Sequence, residues 1–178
     1  GFLAADELGL DYAFAHDTLR ADEALINVLA ARDDLVRARE LFLVGQDGRG
    51  RSEWETALEY FDVREKTQAA ILAQRWGWHS RAIAAASSVG QFDDLYLRYP
   101  LAYQNVFERH AADAKIPLTW AYGVARSESL FMRDVRSSAG AVGVMQILPS
   151  TGRRTAREIR QPYRGRATLI DPESNIRL

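Results

Sequence analysis

Apolar and polar residues in the first half of the chain recur at helical spacing. Apolar positions within the stretch predict a helix from about Asp33 to Val44. The Gly-rich stretch GQDGRGR, residues 45–51, predicts a turn after it. Ser52 and Glu55 then have the spacing of a capping box, in which each side chain satisfies a free backbone donor at a helix start. The pattern therefore predicts that the next helix begins at Ser52.

Further helices are predicted from Glu65 to Trp76 and from Ser80 to Ser88, with WGWH as the corner between them. Ala, Leu, Glu and Arg dominate this part of the chain, and no alternating strand pattern persists. Short helical hairpins in series predict a solenoid or a bundle of α-hairpins. No clean repeat period is present, so a regular tetratricopeptide array is not supported.

The pattern changes between Gln91 and Pro100, where we predict a domain boundary. Pro100 predicts a helix start, because the first turn of a helix does not need its missing N–H. That helix ends before Pro117, which in turn opens a second helix running through Glu128.

Glu128 continues a stripe formed by Trp120, Ala121, Val124 and Ala125. On that spacing the carboxylate faces the core, where lost hydration raises a carboxyl pKa and suits a general acid. The alternative is that Glu128 marks a frayed helix end in solvent. The helix dipole places partial negative charge at that end, so a carboxylate is not favoured there.

A loop with small residues follows, SSAGAVGVMQILPSTG, residues 137–152. Gly140 and Gly143 suit a tight turn or a close backbone approach to a ligand. Gln146 stands among apolar residues and needs a partner if buried, a role that a substrate amide could fill. The alternative is an ordinary Gly-containing loop that leads into a helix beginning near Pro149.

Composition and charge remove several function classes. The chain has 178 residues with 23 Lys and Arg against 24 Asp and Glu, and this balance argues against a general nucleic-acid binder. No cysteine is present, so disulfides and thiolate metal sites are excluded, and the three histidines are scattered without ligand spacing. No apolar run has the length of a membrane span, and no signal peptide is visible. The first residues read as mid-protein helix, which predicts that the chain is a piece of a longer protein.

The stretch ARSESLFMRDVRSSAGAVGVMQILPSTGRRTA resembles the start of the catalytic domain of Slt-type soluble lytic transglycosylases. The matching residues are Glu128-Ser129, Ser137, Gly140-Ala141, Gly143-Val144-Met145-Gln146 and Pro149. The chain departs from the family at Val144, where Leu is preferred, and at residues 130–134, where an aromatic residue and Asn-Pro are usual. The segments at 37–54 and 96–126 and the ending LIDPESNIRL at 169–178 are also similar to this family.

The resemblance implies an all-α fold in which a helical-hairpin superhelix and linker segment precede the first lobe of a lysozyme-like domain. Residues 1–36 would end an α-superhelical domain, and residues 37–97 would form a helical linker domain. Residues 98–178 would be the N-terminal part of the catalytic domain, which we expect to be truncated. The family continues with a second lobe, so we expect the 178-residue chain alone to be inactive or weakly active.

The resemblance also implies cleavage of the β-1,4 bond between N-acetylmuramic acid and N-acetylglucosamine, with formation of a 1,6-anhydro sugar. Glu128 would be the catalytic acid and then the base, and no metal or cofactor would take part. The implied substrate-binding residues are Ser129, Ser137, Gly143, Val144, Met145 and Gln146. The expected partner is the glycan strand of peptidoglycan in the periplasm, with no nucleic acid, no stable membrane insertion and a monomeric full-length protein.

Two other functions stay open at this point. A lysozyme-like muramidase would need a second carboxylate, because ordinary glycosidases use a pair, and the nearest candidate is Asp134. A non-catalytic α-solenoid interaction module would need neither carboxylate. An arginine cluster between Arg153 and Arg166 is read as a solvated face that could contact acidic stem peptides.

Overall fold

The computed structural model describes residues 2–11 and 16–178, and its regular secondary structure in these ranges is helical. The extended pairings in them are two isolated antiparallel bridges, from Arg136 to Val142 and from Val142 to Ile147. The predicted all-α class is confirmed. The helices are α1 (Phe2–Leu8), α2 (Glu23–Ala30), α3 (Asp33–Leu43), α4 (Asp47–Glu59), α5 (Val63–Arg75), α6 (His79–Ser88), α7 (Leu95–Arg98), α8 (Gln104–Ala114), α9 (Leu118–Ser129), α10 (Pro149–Glu158), α11 (Arg166–Ile170) and α12 (Pro172–Arg177).

The predicted end of a superhelical domain at residues 1–36 includes residues 1 and 12–15, which lie outside the described ranges. Within the described part, no helix has the length and apolar character needed to cross a bilayer.

Helices α2 to α7 enclose a first apolar core, in which α3 packs on α4 and α5 packs on α6. Trp54 of α4 is fully buried at its centre, and its ring contacts those of Trp76 and Trp78. Phe42 stacks on Trp78 with ring centroids 4.6 Å apart. Aromatic rings of this size each bury a large apolar area. The WGWH corner thus has a packing role as well as a turning role.

The turn predicted at residues 45–51 is wrong for most of its length, because α4 begins at Asp47 and not at Ser52. Gly50 lies in close contact with α3 and with the ring of Trp78. A Cβ atom there would lie 2.8 Å from the Ala38 carbonyl oxygen and 3.2 Å from the Trp78 ring. Gly50 lets α3 and α4 approach each other, a use of glycine that sequence alone does not separate from a turn. A capping box does occur further along, between Asp62 and Glu65 at the start of α5.

The helix start predicted at Pro100 is also wrong. Residues 102–103 form a turn, and α8 begins at Gln104 after Tyr103, which has a positive φ of 52°. Pro117 precedes α9 and Pro149 is the first residue of α10, as the sequence predicted.

A second apolar core lies among α8, α9, α12 and the loop after α9. Its buried members are Ala102, Phe107, Ala121, Ala125, Phe131 and Val144. The ring of Phe107 packs on Tyr122, with centroids 4.5 Å apart, and edge-on against Phe131. This core fixes the buried face of α9, the helix whose last turn carries Glu128.

Candidate active site

Glu128 lies in the last turn of α9 with an exposed side chain. The expectation that it faces the core is wrong for this chain. The buried face of α9 is formed by Ala121, Ala125 and Ser129. Trp120, which is 62% exposed, and the half-buried Val124 share the flank of Glu128. Four-residue steps drift against the 3.6-residue turn, so this row runs along the edge of the buried face.

Ser129 is the buried neighbour of Glu128, with 3% of its surface exposed. Its Oγ lies 2.7 Å from the Val144 carbonyl oxygen and 3.1 Å from that of Ala125. A hydroxyl has a single proton, and the shorter contact is the better acceptor. Ser129 therefore ties α9 to the loop at 142–147, and its hydroxyl is already engaged within the protein.

Residues 142–147 form a tight antiparallel hairpin. Val142 and Ile147 exchange two backbone hydrogen bonds of 3.0 Å. Gly143 has a φ of +86°, and a Cβ atom on it would lie 2.1 Å from the Leu169 carbonyl oxygen. The close approach predicted for Gly143 thus occurs, but the neighbour is the protein's own backbone. Val144 is fully buried and Met145 is half-buried.

Gln146, at the end of this hairpin, is half-buried and has a positive φ of 48°. Its side-chain amide donates to the Val135 carbonyl at 3.2 Å and to the Gly143 carbonyl at 3.0 Å. The inference that the amide needs a substrate partner is therefore wrong for its N–H groups. Any contact with a ligand would use its oxygen.

Ser137 and Gly140 form the turn that precedes the hairpin. The Oγ of Ser137 accepts a hydrogen bond from the Ala141 N–H at 3.0 Å, and the Ser137 carbonyl accepts one from Gly140 at 3.0 Å. Gly140 has a φ of +87°, a conformation that favours glycine. In this structure both residues shape the loop.

Asn175 of α12 is a residue whose role the sequence analysis missed. Its side chain is 1% exposed, and it donates to the carbonyls of Val142 at 3.1 Å and Leu169 at 2.9 Å. Its Oδ1 accepts from the Met145 N–H at 2.7 Å. One buried amide thus fixes the hairpin against α11 and α12. The sequence contained a signal for Asn175. Asp171-Pro172 marks the start of a helix, and an amide side chain buried in the first turns of that helix needs hydrogen-bond partners.

Asp134, the candidate second carboxylate, is bound by the guanidinium group of Arg51 from α4. The two hydrogen bonds are 2.7 and 2.9 Å long, and both side chains are mostly buried. The hydrogen bonds that Arg51 donates to Asp134 raise the pKa of Arg51. A carboxylate held in a bidentate pair is not free to attack a sugar. The geometry therefore disfavours Asp134 as a nucleophile.

A groove of about 550 Å³ lies on the other side of α9, between that helix and residues 99–101. Tyr122 lines it and donates to the Ala102 carbonyl at 3.2 Å. Burial, with Glu108 nearby, raises the pKa of Tyr122 to about 12, so its hydroxyl stays protonated. Glu128 is not among the residues that line this groove. Its side chain is exposed outside this groove.

Comparison with known proteins shows what this arrangement is similar to. Residues 28–95 match the family model described as the soluble lytic murein transglycosylase L domain, and residues 105–178 match the transglycosylase SLT domain. The soluble lytic murein transglycosylase of Salmonella typhimurium is 34% identical over 99% of this chain, and the one from Escherichia coli K12 is 32% identical over 99%. The chain belongs to the Slt-type soluble lytic murein transglycosylase family.

Solved Slt structures have the same fold over nearly the whole chain. The 70-kDa soluble lytic transglycosylase of Escherichia coli superposes with a TM-score of 0.89 and 32% identity over 98% of this chain. Slt from Pseudomonas aeruginosa, solved as an inactive Glu-to-Gln mutant, superposes with a TM-score of 0.87 and 34% identity over 99%. The chain spans 27% of the length of these curated relatives and 28 to 29% of the solved chains.

Proposed function

We propose that this chain supplies the catalytic acid of a lytic transglycosylase that cleaves the glycan strands of peptidoglycan. The observation that carries the proposal is the match to Slt relatives across 99% of the chain, in which the SLT-matched region contains Glu128 and Ser129. In support, Glu128 has no ion-pair partner within residues 2–11 and 16–178. Its carboxyl is thus available to a substrate.

In the proposed reaction Glu128, protonated, donates its proton to the glycosidic oxygen as the bond from C1 of the N-acetylmuramic acid breaks. The 6-hydroxyl oxygen of the same sugar then bonds to C1, and its proton passes to the Glu128 carboxylate. The atoms balance without water, and the acid is restored for the next turnover. One group acting twice needs a pKa that allows both forms.

The exposed position of Glu128 affects the activity expected of the 178-residue chain alone. An exposed carboxyl lacks the water-excluded surroundings of a closed active site. We infer that the 178-residue chain alone has weak or no activity, and that an element covering the Trp120 flank completes the site. The substrate-binding roles of Ser129, Ser137, Gly143, Val144, Met145 and Gln146 are also proposals. Their contacts support an indirect role, in which they shape the loop beside Glu128.

The proposal extends to the wider setting of the protein. Slt relatives are named as soluble murein enzymes, and a 70-kDa soluble lytic transglycosylase has been solved in complex with bulgecin A. We place the protein at the cell wall, in the periplasm, with peptidoglycan as its partner. The division into residues 1–36, 37–97 and 98–178 stays a prediction.

The test is the Glu128→Gln variant in the full natural protein, with muropeptide products separated by mass spectrometry. We expect the wild type to release 1,6-anhydro ends, and the variant to lose turnover while still binding glycan strands. Glu158→Gln, at an exposed carboxylate on α10, is the matched control and should keep wild-type turnover.

Two results would overturn the proposal. Reducing ends in the wild-type products would identify a muramidase, a function disfavoured by the engagement of Asp134 with Arg51. Unchanged turnover in Glu128→Gln would show that Glu128 is not the catalytic acid, and a wild-type protein without any turnover would favour the non-catalytic interaction module.

A further inference from the structure

Two ion pairs cross between α4 and the loop that follows α9. Arg51 of α4 binds Asp134 through two hydrogen bonds of 2.7 and 2.9 Å. Arg133 of the loop binds Asp47 of α4 through contacts of 2.8 and 3.2 Å. Asp47 and Arg51 are one helical turn apart, whereas Arg133 and Asp134 are adjacent. Each segment carries one acidic and one basic residue, so α4 and the loop pair opposite charges in a single register.

These pairs are better sheltered than ordinary surface ion pairs. The side chain of Asp47 is 7% exposed, and those of Arg51 and Asp134 are 20% and 23% exposed. Exposed pairs contribute little because solvent and salt screen them, whereas sheltered bidentate pairs hold their geometry. The hydrogen bonds that Arg51 and Arg133 donate to the two aspartates also raise the pKa of both arginines. The two ion pairs therefore hold residues 133 and 134 against α4.

The segment they hold leaves α9 directly after Glu128 and Ser129. Leu130 and Phe131 both have positive φ values, of 51° and 64°. Such angles are unfavourable for residues other than glycine and persist only where the surroundings enforce them. Packing in the second apolar core holds Phe131 in this conformation from one side. The ion pairs hold Arg133 and Asp134 in place from the other side.

The two apolar cores are separate clusters, so the link between them is polar at this point. Arg81 of α6 adds to it, since its guanidinium lies 3.9 Å from the Met132 sulfur and also binds Glu55. A cavity of about 280 Å³ next to the pairs is lined by residues of both regions. The region matched by the L domain thus reaches the SLT region through side chains directed at the loop after Glu128.

Resting on the proposed function, we propose that Asp47 and Arg51 are positioning residues for the transglycosylase reaction. They hold residues 130–134 in the strained exit from α9 and so set the placement of Glu128 over the scissile bond. The L region is then part of the catalytic apparatus through these two contacts. Loss of either contact lowers turnover while glycan binding persists, because a displaced acid binds the same substrate and protonates it less well.

The experiment compares variants made in the full natural protein. Asp134→Asn removes the charge at constant volume, Arg51→Asp reverses one partner, and Arg51→Asp with Asp134→Arg restores the pair with its charges exchanged. Leu29→Ala destabilises the first core far from the loop and is the control for stability alone. Glu23→Arg with Arg75→Glu exchanges the exposed pair between α2 and α5 and is the control for charge exchange. The measurements are kcat, the dissociation constant for glycan strands, Tm, and hydrogen exchange of the amides of residues 130–134.

We expect kcat to fall roughly 10- to 100-fold in each single variant. The dissociation constant should stay within about twofold of wild type, as expected for a contact that acts only on the chemical step. The exchanged pair should recover most of the lost kcat, and the two controls should keep it. Amide exchange at residues 130–134 should become faster in the single variants and return toward wild type in the exchanged pair.

The proposal is overturned if the single variants keep wild-type kcat, or if Leu29→Ala loses as much activity at an equal fall in Tm. It is also overturned if amide exchange in residues 130–134 does not change. A wild-type protein without 1,6-anhydro products would instead remove the proposed function. The exchange measurement needs no substrate, so it would still show whether the pairs hold the loop.

Discussion

The Ser129 hydroxyl and the Val144 carbonyl oxygen lie 2.7 Å apart and join the last turn of α9 to the hairpin at 142–147. Both residues are buried, so the hydrogen bond is shielded from water. Glu128 precedes Ser129 in the chain, and its backbone is fixed by the same contact. The serine of the Glu-Ser pair thus has a structural task that does not depend on a bound sugar.

Ser129→Ala should lower the free energy of unfolding by about 1–3 kcal/mol, because the Val144 carbonyl is left buried without a donor. Urea unfolding followed by circular dichroism measures this. Ser127→Ala, at an exposed position of the same helix, is the control and should change stability by less than about 0.5 kcal/mol. Equal stability of the two variants would show that the tie to Val144 contributes nothing.

Gly143→Ala should be strongly destabilising, by roughly 3 kcal/mol or more, because its Cβ would lie 2.1 Å from the Leu169 carbonyl and its φ is +86°. Gly123→Ala is the opposite case, since Gly123 is an exposed helical residue of α9 with nothing within 4 Å of an added Cβ. It should raise stability by about 0.5–1 kcal/mol. Thermal unfolding of both variants tests the contrast, and a tolerated alanine at 143 would contradict the packing described here.

Local rules predicted the helices well where propensity and prolines act alone. The helix from Asp33 and the starts near Pro117 and Pro149 were predicted from the sequence and are present in the structure. The start of α4 was not predicted, because Gly50 serves a contact with Ala38 that is remote in sequence. Glycine carries no mark that tells a close helix contact from a turn.

The candidate site shows the same limit. The spacing from Trp120 to Glu128 predicted that this side of α9 faces the core, which is wrong for both of these residues, because their side chains are exposed. The engagement of Asp134 was equally invisible, since its partner Arg51 is 83 residues away in sequence. Periodicity gives the face of a helix, and only tertiary packing decides which face is dry.

Asn175→Ala should lower the free energy of unfolding by roughly 2–4 kcal/mol, since it leaves the Leu169 carbonyl and the Met145 N–H without partners and leaves the Val142 carbonyl with the Ile147 N–H alone. Amide exchange in the hairpin should also become faster. Asn105→Ala, at an exposed position of α8, is the matched control and should leave both measurements near wild type. Unchanged hairpin protection in Asn175→Ala would show that the hairpin is held by other contacts.

The pH dependence of stability should contain a contribution from His79. Burial lowers the pKa of His79 below its usual 6.5, and its Nδ1 has no hydrogen-bond partner in the described chain. Asp47, Arg51 and Arg133 line the same cavity.

Below pH 6.5 the unfolded chain therefore binds a proton that the folded chain resists, so the free energy of unfolding should fall as pH decreases through this range. Well above pH 6.5 the imidazole is neutral in both the folded and the unfolded chain, so the slope of the free energy of unfolding from His79 should vanish. Urea unfolding at a series of pH values between about 5 and 8 measures the slope, and His79→Gln should reduce it. His16→Gln, at an exposed position, is the control. If His79→Gln keeps the wild-type slope below pH 6.5, the buried imidazole is not its source.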